Sequence, residues 1–206
     1  MREPEPAAPG TPGTPGTPGA AGIAGNAGPA PLIVTLRMDP ASAAHFTAMR
    51  QSHFPAHRRW LDAHVTLFHA LPGAAIDQVL RDVGDTADKT APFALHTDHV
   101  IFLGGGVAYA LASIEAQALR QALASRWQSM LGRQDLTWRG PLHITVQNKV
   151  SPAVARTLHR QLVESFVSRE VLATGIDVWH YAGGPWRHAK TFLFQRTGSW
   201  PQFISE

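Results

Sequence analysis

The sequence predicts an α+β fold assembled from two like halves. Two observations carry this reading. Strand-like alternation and helix-like spacing of apolar residues interleave through most of the chain. The pattern His-apolar-Thr-apolar also occurs twice, at His64-Val65-Thr66-Leu67 and His143-Ile144-Thr145-Val146, and each copy leads into a helical segment and further strands, over 64–111 and 143–195.

The first thirty residues stand apart. They are mostly Pro, Gly, Thr and Ala, with little to bury against the entropy of ordering a backbone, so residues 1–30 read as a disordered tail. Glycine recurs at every third position from Gly10 to Gly28, a collagen-like spacing too short to imply more than local polyproline character. The folded domain is expected over 31–200.

Leu32, Ile33, Val34 and Leu36 form an apolar run that reads as a buried strand. Asp39-Pro40 supplies a cap and a first-turn proline for a helix reaching about Gln51. Residues 64–69 alternate as a strand that Pro72-Gly73 ends, and Ile76, Val79, Leu80 and Val83 then take helical spacing. Strand segments follow at Phe93 and Leu95, at 100–103 and at 107–111, the last two joined as a hairpin through Gly104-Gly105-Gly106. Leu119, Leu123, Trp127 and Met130 share one face of a helix expected to end at a left-handed Gly132. A strand at 142–147 precedes a helix opened by Ser151-Pro152, with Val154, Leu158, Leu162 and Phe166 on its buried face; strands near 171–181 and 190–195 close the domain.

Composition narrows the chemistry. The 206 residues are 44% hydrophobic, enough for one core, and the formal charge of +3 suits anionic ligands without the density of a dedicated nucleic-acid binder. There is no cysteine, which excludes disulfides, thiolate metal sites and a thiol nucleophile. No window is apolar enough to span a membrane and no signal-peptide pattern is visible, so the expected setting is the cytoplasm, as a monomer. The glycines at 104–106 lack the spacing of a phosphate-binding loop and read as a turn.

The period of two in a strand puts His64 and Thr66 on one face, with Val65 and Leu67 on the other; His143 and Thr145 repeat the arrangement. If the halves pack about a pseudo-twofold axis, two imidazoles and two hydroxyls converge. That set can cleave a phosphodiester: a neutral histidine takes a proton from the attacking oxygen, a protonated one supplies the departing oxygen, and the threonines donate to the nonbridging oxygens. The mechanism calls for no metal and no cofactor.

On these tetrads, on the Pro-Gly turn after the first and on Gly140-Pro141 before the second, the chain resembles the 2H phosphoesterase superfamily over about residues 31–196. This group includes the 2′,5′ RNA ligase-like proteins and the RNA 2′,3′-cyclic phosphodiesterases. The resemblance implies a bilobal, pseudo-twofold duplicated fold in which two antiparallel-rich sheets line a central cleft with helices outside. It implies catalytic His64 and His143, phosphate-binding Thr66 and Thr145, and a nucleotide or RNA terminus with a cyclic phosphate as substrate. RNA-directed members often carry an arginine shortly after the second tetrad, where this chain has Gln147, Asn148 and Lys149, so the choice of phosphodiester stays open. A binding module without turnover and a 2′,5′ ligase remain alternatives.

Other residues have commoner uses. His53 and His57 are spaced like a helical metal pair, but Pro55 lies between them and no acid is near, so no metal site is expected. His96, His99, His180 and His188 read as surface or loop residues. Arg58, Lys149 and Tyr109 are candidate substrate contacts. Trp60, Phe68, Phe102 and Trp138, like Tyr109, can stack a base, although packing is the usual role of such rings.

Overall fold

Residues 28–195 are described by a computed structural model. The tail expected over 1–30 lies outside them except for residues 28–30. β1 (Leu32–Met38) is buried at every position but Arg37, as its largely apolar run, broken at Thr35, leads one to expect of a strand covered on both faces. α1 (Pro40–His53) begins where Asp39 accepts a hydrogen bond from the Ser42 amide at 2.9 Å, with Pro40 in the first turn. A 3-10 turn at Ala56–Arg58 leads to β2 (Val65–Leu71) and then α2 (Ile76–Ala87). β3 (Phe93–Phe102) and β4 (Val107–Ala112) form the expected hairpin. α3 (Ile114–Arg126) and the short α4 (Arg133–Leu136) precede β5 (Leu142–Gln147). α5 (Pro152–Glu164), β6 (Glu170–His180) and β7 (Arg187–Leu193) complete the order.

Two glycines permit close approaches that a side chain would block. A Cβ on Gly73 would sit 2.2 Å from the Pro29 carbonyl oxygen, and one on Gly106 would sit 2.1 Å from that of Gln147. Gly106 thus lets the β3–β4 turn rest on the end of β5.

The strands do not form two sheets, as the sequence reading expected. They join in one antiparallel sheet of order β1-β2-β5-β4-β3-β6-β7, and β6 also pairs with β1. Six strands therefore close into a barrel, and β7 lies outside the ring along β6. Phe46 of α1, Val79 and Val83 of α2, Leu119 and Leu123 of α3 and Leu158 of α5 share a core with outward strand residues such as Val34, Val65 and Ile144. The helices thus cover the outside of the barrel, and its inner face mixes polar residues such as Thr35 and Asp177 with small or apolar ones such as Ala108, Ala110 and Ile33.

Three local expectations fail for identifiable reasons. α3 stops at Arg126, well before Gly132; Trp127 is fully buried, donates its indole N–H to Asp82 at 2.8 Å and has left helical geometry with φ −103. Gly132 instead caps the start of α4 with φ −69. In α5 Leu158 is buried and Leu162 and Phe166 pack against the core as expected, but Ala155 takes the buried place expected of Val154, which is 51% exposed, because residues 155, 158 and 162 and not 154 share one face of the helix. The two segments expected between Phe93 and Leu103 are one strand; a register shift between Thr97 and Val100 carries it past the exposed Asp98-His99 pair.

Candidate active site

β2 and β5 meet at a single registered pair, Val65 opposite Ile144. Both side chains are fully buried in the outer core. Their neighbours His64, Thr66, His143 and Thr145 consequently face the inside of the barrel. The pairing of β5 with β4 agrees: Thr145 and His143 lie opposite Ala108 and Ala110, whereas Ile144 lies opposite the core residue Tyr109.

The two histidines are held alike. His64 Nδ1 donates to the carbonyl of Asp62 at 2.8 Å and His143 Nδ1 to that of Pro141 at 3.4 Å, each two residues upstream. A carbonyl can only accept, so each ring carries its proton on Nδ1 and presents Nε2. Among the described residues no protein hydrogen bond occupies the Thr66 or Thr145 hydroxyl.

Burial sets the proton affinity of the pair. His64 is pushed down to about 4, first by desolvation and then by the positive charges of Arg50, His143 and His69, against the opposing pull of the Asp62 carbonyl. His143 is lowered as well, again mainly by desolvation, with His69 adding to it and the Pro141 carbonyl opposing. Two neutral imidazoles and two free hydroxyls form a site that gains from an anion.

Arg50 braces this arrangement. It continues the buried stripe of α1 after Ser42 and Phe46, and it is only 7% exposed. Its Nε–H donates to the Leu61 carbonyl at 2.9 Å and its Nη1–H to the Thr145 carbonyl at 3.1 Å, tying the approach to His64 to the second tetrad. The guanidinium also lies 3.8 Å over the Phe54 ring. Sequence reading missed it, since a lone arginine in an amphipathic helix looks like a surface residue.

Tryptophans wall the site on both sides. A cavity of about 240 Å³ beside His64 is lined by Trp60, Asp62, Trp179 and Trp186, and the Trp186 and His64 ring centroids are 4.6 Å apart. Trp138 stacks on His143 with an interplanar angle of 14°. A second cavity of about 770 Å³, between α3 and residues 131–142, has Trp138, Arg120 and Arg139 in its lining. Of the candidate stacking residues, Trp60 and Trp138 thus reach the site. Phe68 does not: it is buried against Trp127 in the outer core. Phe102 packs near His159 and Arg156 instead.

The other candidate contacts fare unevenly. Tyr109 faces the core, against Phe46 and Phe166, because it pairs with Ile144 and not with His143. The structure therefore does not bring it to the tetrads. Arg58 stands exposed in the 3-10 turn before β2, and Lys149 takes a left-handed φ of 62 in the loop after β5. His188, read as a surface residue, joins a chain in which its Nε2 meets the Thr191 hydroxyl at 2.9 Å and that hydroxyl donates to Asp177. Trp186 and Trp179 went unnoticed in the sequence because loop placement and barrel closure bring them to His64.

Comparison with known proteins bears on the family and the fold. A family model described as the 2′-5′ RNA ligase superfamily matches residues 38–185. Among solved structures, the fold is similar to TT0787 of Thermus thermophilus, with TM-score 0.57 and 14% identity, covering 80% of this chain and 97% of that one. It is also similar to LigT of E. coli complexed with ATP, with TM-score 0.52 and 16% identity, covering 82% of this chain and 100% of that one. No curated protein matches the chain.

Proposed function

As the chain belongs to the 2′-5′ RNA ligase superfamily, we propose that it is a phosphodiesterase that opens cyclic phosphodiesters, the 2′,3′-cyclic phosphate of a nucleotide or an RNA end, by two-histidine acid/base catalysis. The observation that carries the reading is the Val65–Ile144 pair, which sets both tetrads on one face of adjoining strands. Two further facts support it. Each histidine is anchored through Nδ1 to a carbonyl two residues upstream. The strand pairing also survives exchange of β1, β2 and β3 for β4, β5 and β6, which suits a domain over 31–200 made of two β-α-β-α-β halves about a pseudo-twofold axis.

His64, whose neutral form is favoured by burial and by the neighbouring Arg50 charge, is the base. Its Nε2 takes a proton from water as the water oxygen bonds to phosphorus. The bond from phosphorus to one of the two ribose oxygens breaks, and protonated His143 gives that oxygen its proton. The product is an open phosphate monoester. Thr66 and Thr145 donate to the two nonbridging oxygens and hold them through the transition state. An arriving phosphate anion raises the proton affinity of both rings and so supplies the protonated His143 that the free site disfavours. Similarity to LigT, whose structure holds ATP, supports a nucleotide-sized ligand.

The test is hydrolysis of nucleoside 2′,3′-cyclic phosphates by the monomer in the presence of EDTA. The wild type should convert them to monophosphates at a rate the chelator leaves unchanged. His64→Ala and His143→Ala should each cost roughly 10² to 10⁴ in rate, with the double variant losing far less than the product. Wild-type rates in both single variants would overturn the assignment, and retention of the nucleotide without turnover would make the site a binding site only.

A further inference from the structure

A third histidine lies in the same site. Simple alternation along β2 would send residue 69 to the outer core with Val65 and Leu67. However, β1 pairs Thr35 with Thr66 and Val34 with Phe68, so β2 holds one extra residue there. This bulge reverses the alternation and turns His69 to the face of His64 and Thr66. Its ring lies 5.4 Å from that of Trp138, the indole that stacks on His143, and its charge lowers the proton affinity of both His64 and His143.

Asp135 fixes this ring. The carboxylate, 4% exposed, accepts from His69 Nδ1 at 2.9 Å and, through its other oxygen, from the His69 amide at 2.9 Å and the Ala70 amide at 3.4 Å. Burial pushes the Asp135 carboxyl up, but these hydrogen bonds and the nearby imidazole outweigh it and hold the group below the usual carboxylate range. His69 therefore has its Nδ1–H committed, and its Nε2 has no protein partner among the described residues.

We infer that His69, oriented by Asp135, binds a second phosphate of the substrate, beyond the reacting phosphorus on the His143 side. The inference rests on the phosphodiesterase reading. Thr66 and Thr145 already serve the nonbridging oxygens of the reacting phosphodiester, His143 its departing oxygen and His64 the attacking water, so a fifth group meets other atoms. Three strand residues put His69 roughly 7–10 Å from Thr66, farther than one phosphate extends. The end of the site it occupies is positive: among the described residues lining the adjoining 770 Å³ cavity Asp135 is the only acid, and it is spent on His69, while Arg120 and Arg139 also line the wall. The second phosphate has two sources, a 5′-phosphate on the same nucleoside or the internucleotide phosphate of an RNA end.

Three substrates separate them: a nucleoside 2′,3′-cyclic phosphate with a free 5′-hydroxyl, the same nucleoside with a 5′-phosphate, and a dinucleotide ending in the cyclic phosphate. At least one phosphate-bearing substrate should show kcat/KM about tenfold above the first, chiefly through KM, the worth of one charge-assisted hydrogen bond. Which one gains identifies the source. His69→Asn keeps an N–H donor for Asp135 and removes Nε2; it should erase the advantage and leave the first substrate within about threefold of wild type. Should that variant unfold, inhibition of the wild type by a nucleoside 3′,5′-bisphosphate should still be about tenfold tighter than by the 3′-monophosphate. Equal kcat/KM for all three substrates, equal inhibition by the two nucleotides, or a uniform loss in His69→Asn would overturn the inference. Absence of turnover with any substrate would instead overturn the phosphodiesterase reading on which it stands.

Discussion

Replacing Arg50 by methionine removes the charge that links the two tetrads and keeps most of the apolar stem. Two hydrogen bonds are lost, to the carbonyls of Leu61 and Thr145, together with the contact over Phe54. A hydrogen bond from a charged donor contributes about 1.5–3 kcal/mol, and relief of the buried charge offsets part of the loss, which leaves a net cost of about 2–4 kcal/mol. At about 2–4 °C per kcal/mol for a chain of this size, the melting temperature should fall by roughly 5–15 °C in calorimetry. Catalysis supplies an independent readout. Desolvation is the main reason His64 binds protons weakly, but the Arg50 charge adds to it. Without Arg50 the proton affinity of His64 rises, so the acid limb of the kcat/KM profile should move to higher pH. A variant that melts with the wild type, or whose acid limb moves to lower pH, would refute the bracing role.

Thr66→Val and Thr145→Val should each lower kcat by roughly ten- to a hundredfold with little change in melting temperature, as expected for hydroxyls that donate to the transition state and not to the protein; steady-state kinetics with a cyclic nucleotide checks this. Stability should fall on acidification between about pH 6.5 and 4. His64 has a folded-state value near 4 against an ordinary 6.5, so the unfolded chain binds more protons in that window and stability rises with pH across it. Urea titrations at several pH values should show this slope, flattened in His64→Gln. Gly106→Ala should destabilise by about 2 kcal/mol or more, because its Cβ would collide with backbone of Gln147 and not with a movable side chain; a matched pair of thermal melts reads it.

What the sequence discloses and what it hides divide along local and nonlocal lines. The caps at Asp39 and Ser151 were legible because a side chain there bonds an amide three residues on. The tetrads were legible because alternation within six residues places His and Thr together. His69 was not: its orientation depends on a bulge that exists only in the register between β1 and β2. Ring closure through β1 and β6 joins residues some 140 positions apart, such as Thr35 and Asp177, and no local pattern announces such a pair. Arg50 and Trp186 were hidden for the same reason, as each gains its meaning from a partner on a distant strand. Tyr109 shows the converse error, a ring judged by its chemistry and not by the face its strand gives it.

The single registered pair between β2 and β5 has a consequence for the whole barrel. β3 and β6, at the opposite seam, share four registered pairs from Phe93 to His96, so the ring is closed unequally. Where the backbone rungs run out, Thr66 and Thr145 project from facing strands. A phosphate accepting from both is thus a rung of the sheet as well as a substrate, and its binding should tighten the seam by the ordinary linkage of ligand to fold, about 2.7 kcal/mol at a hundred times its Kd.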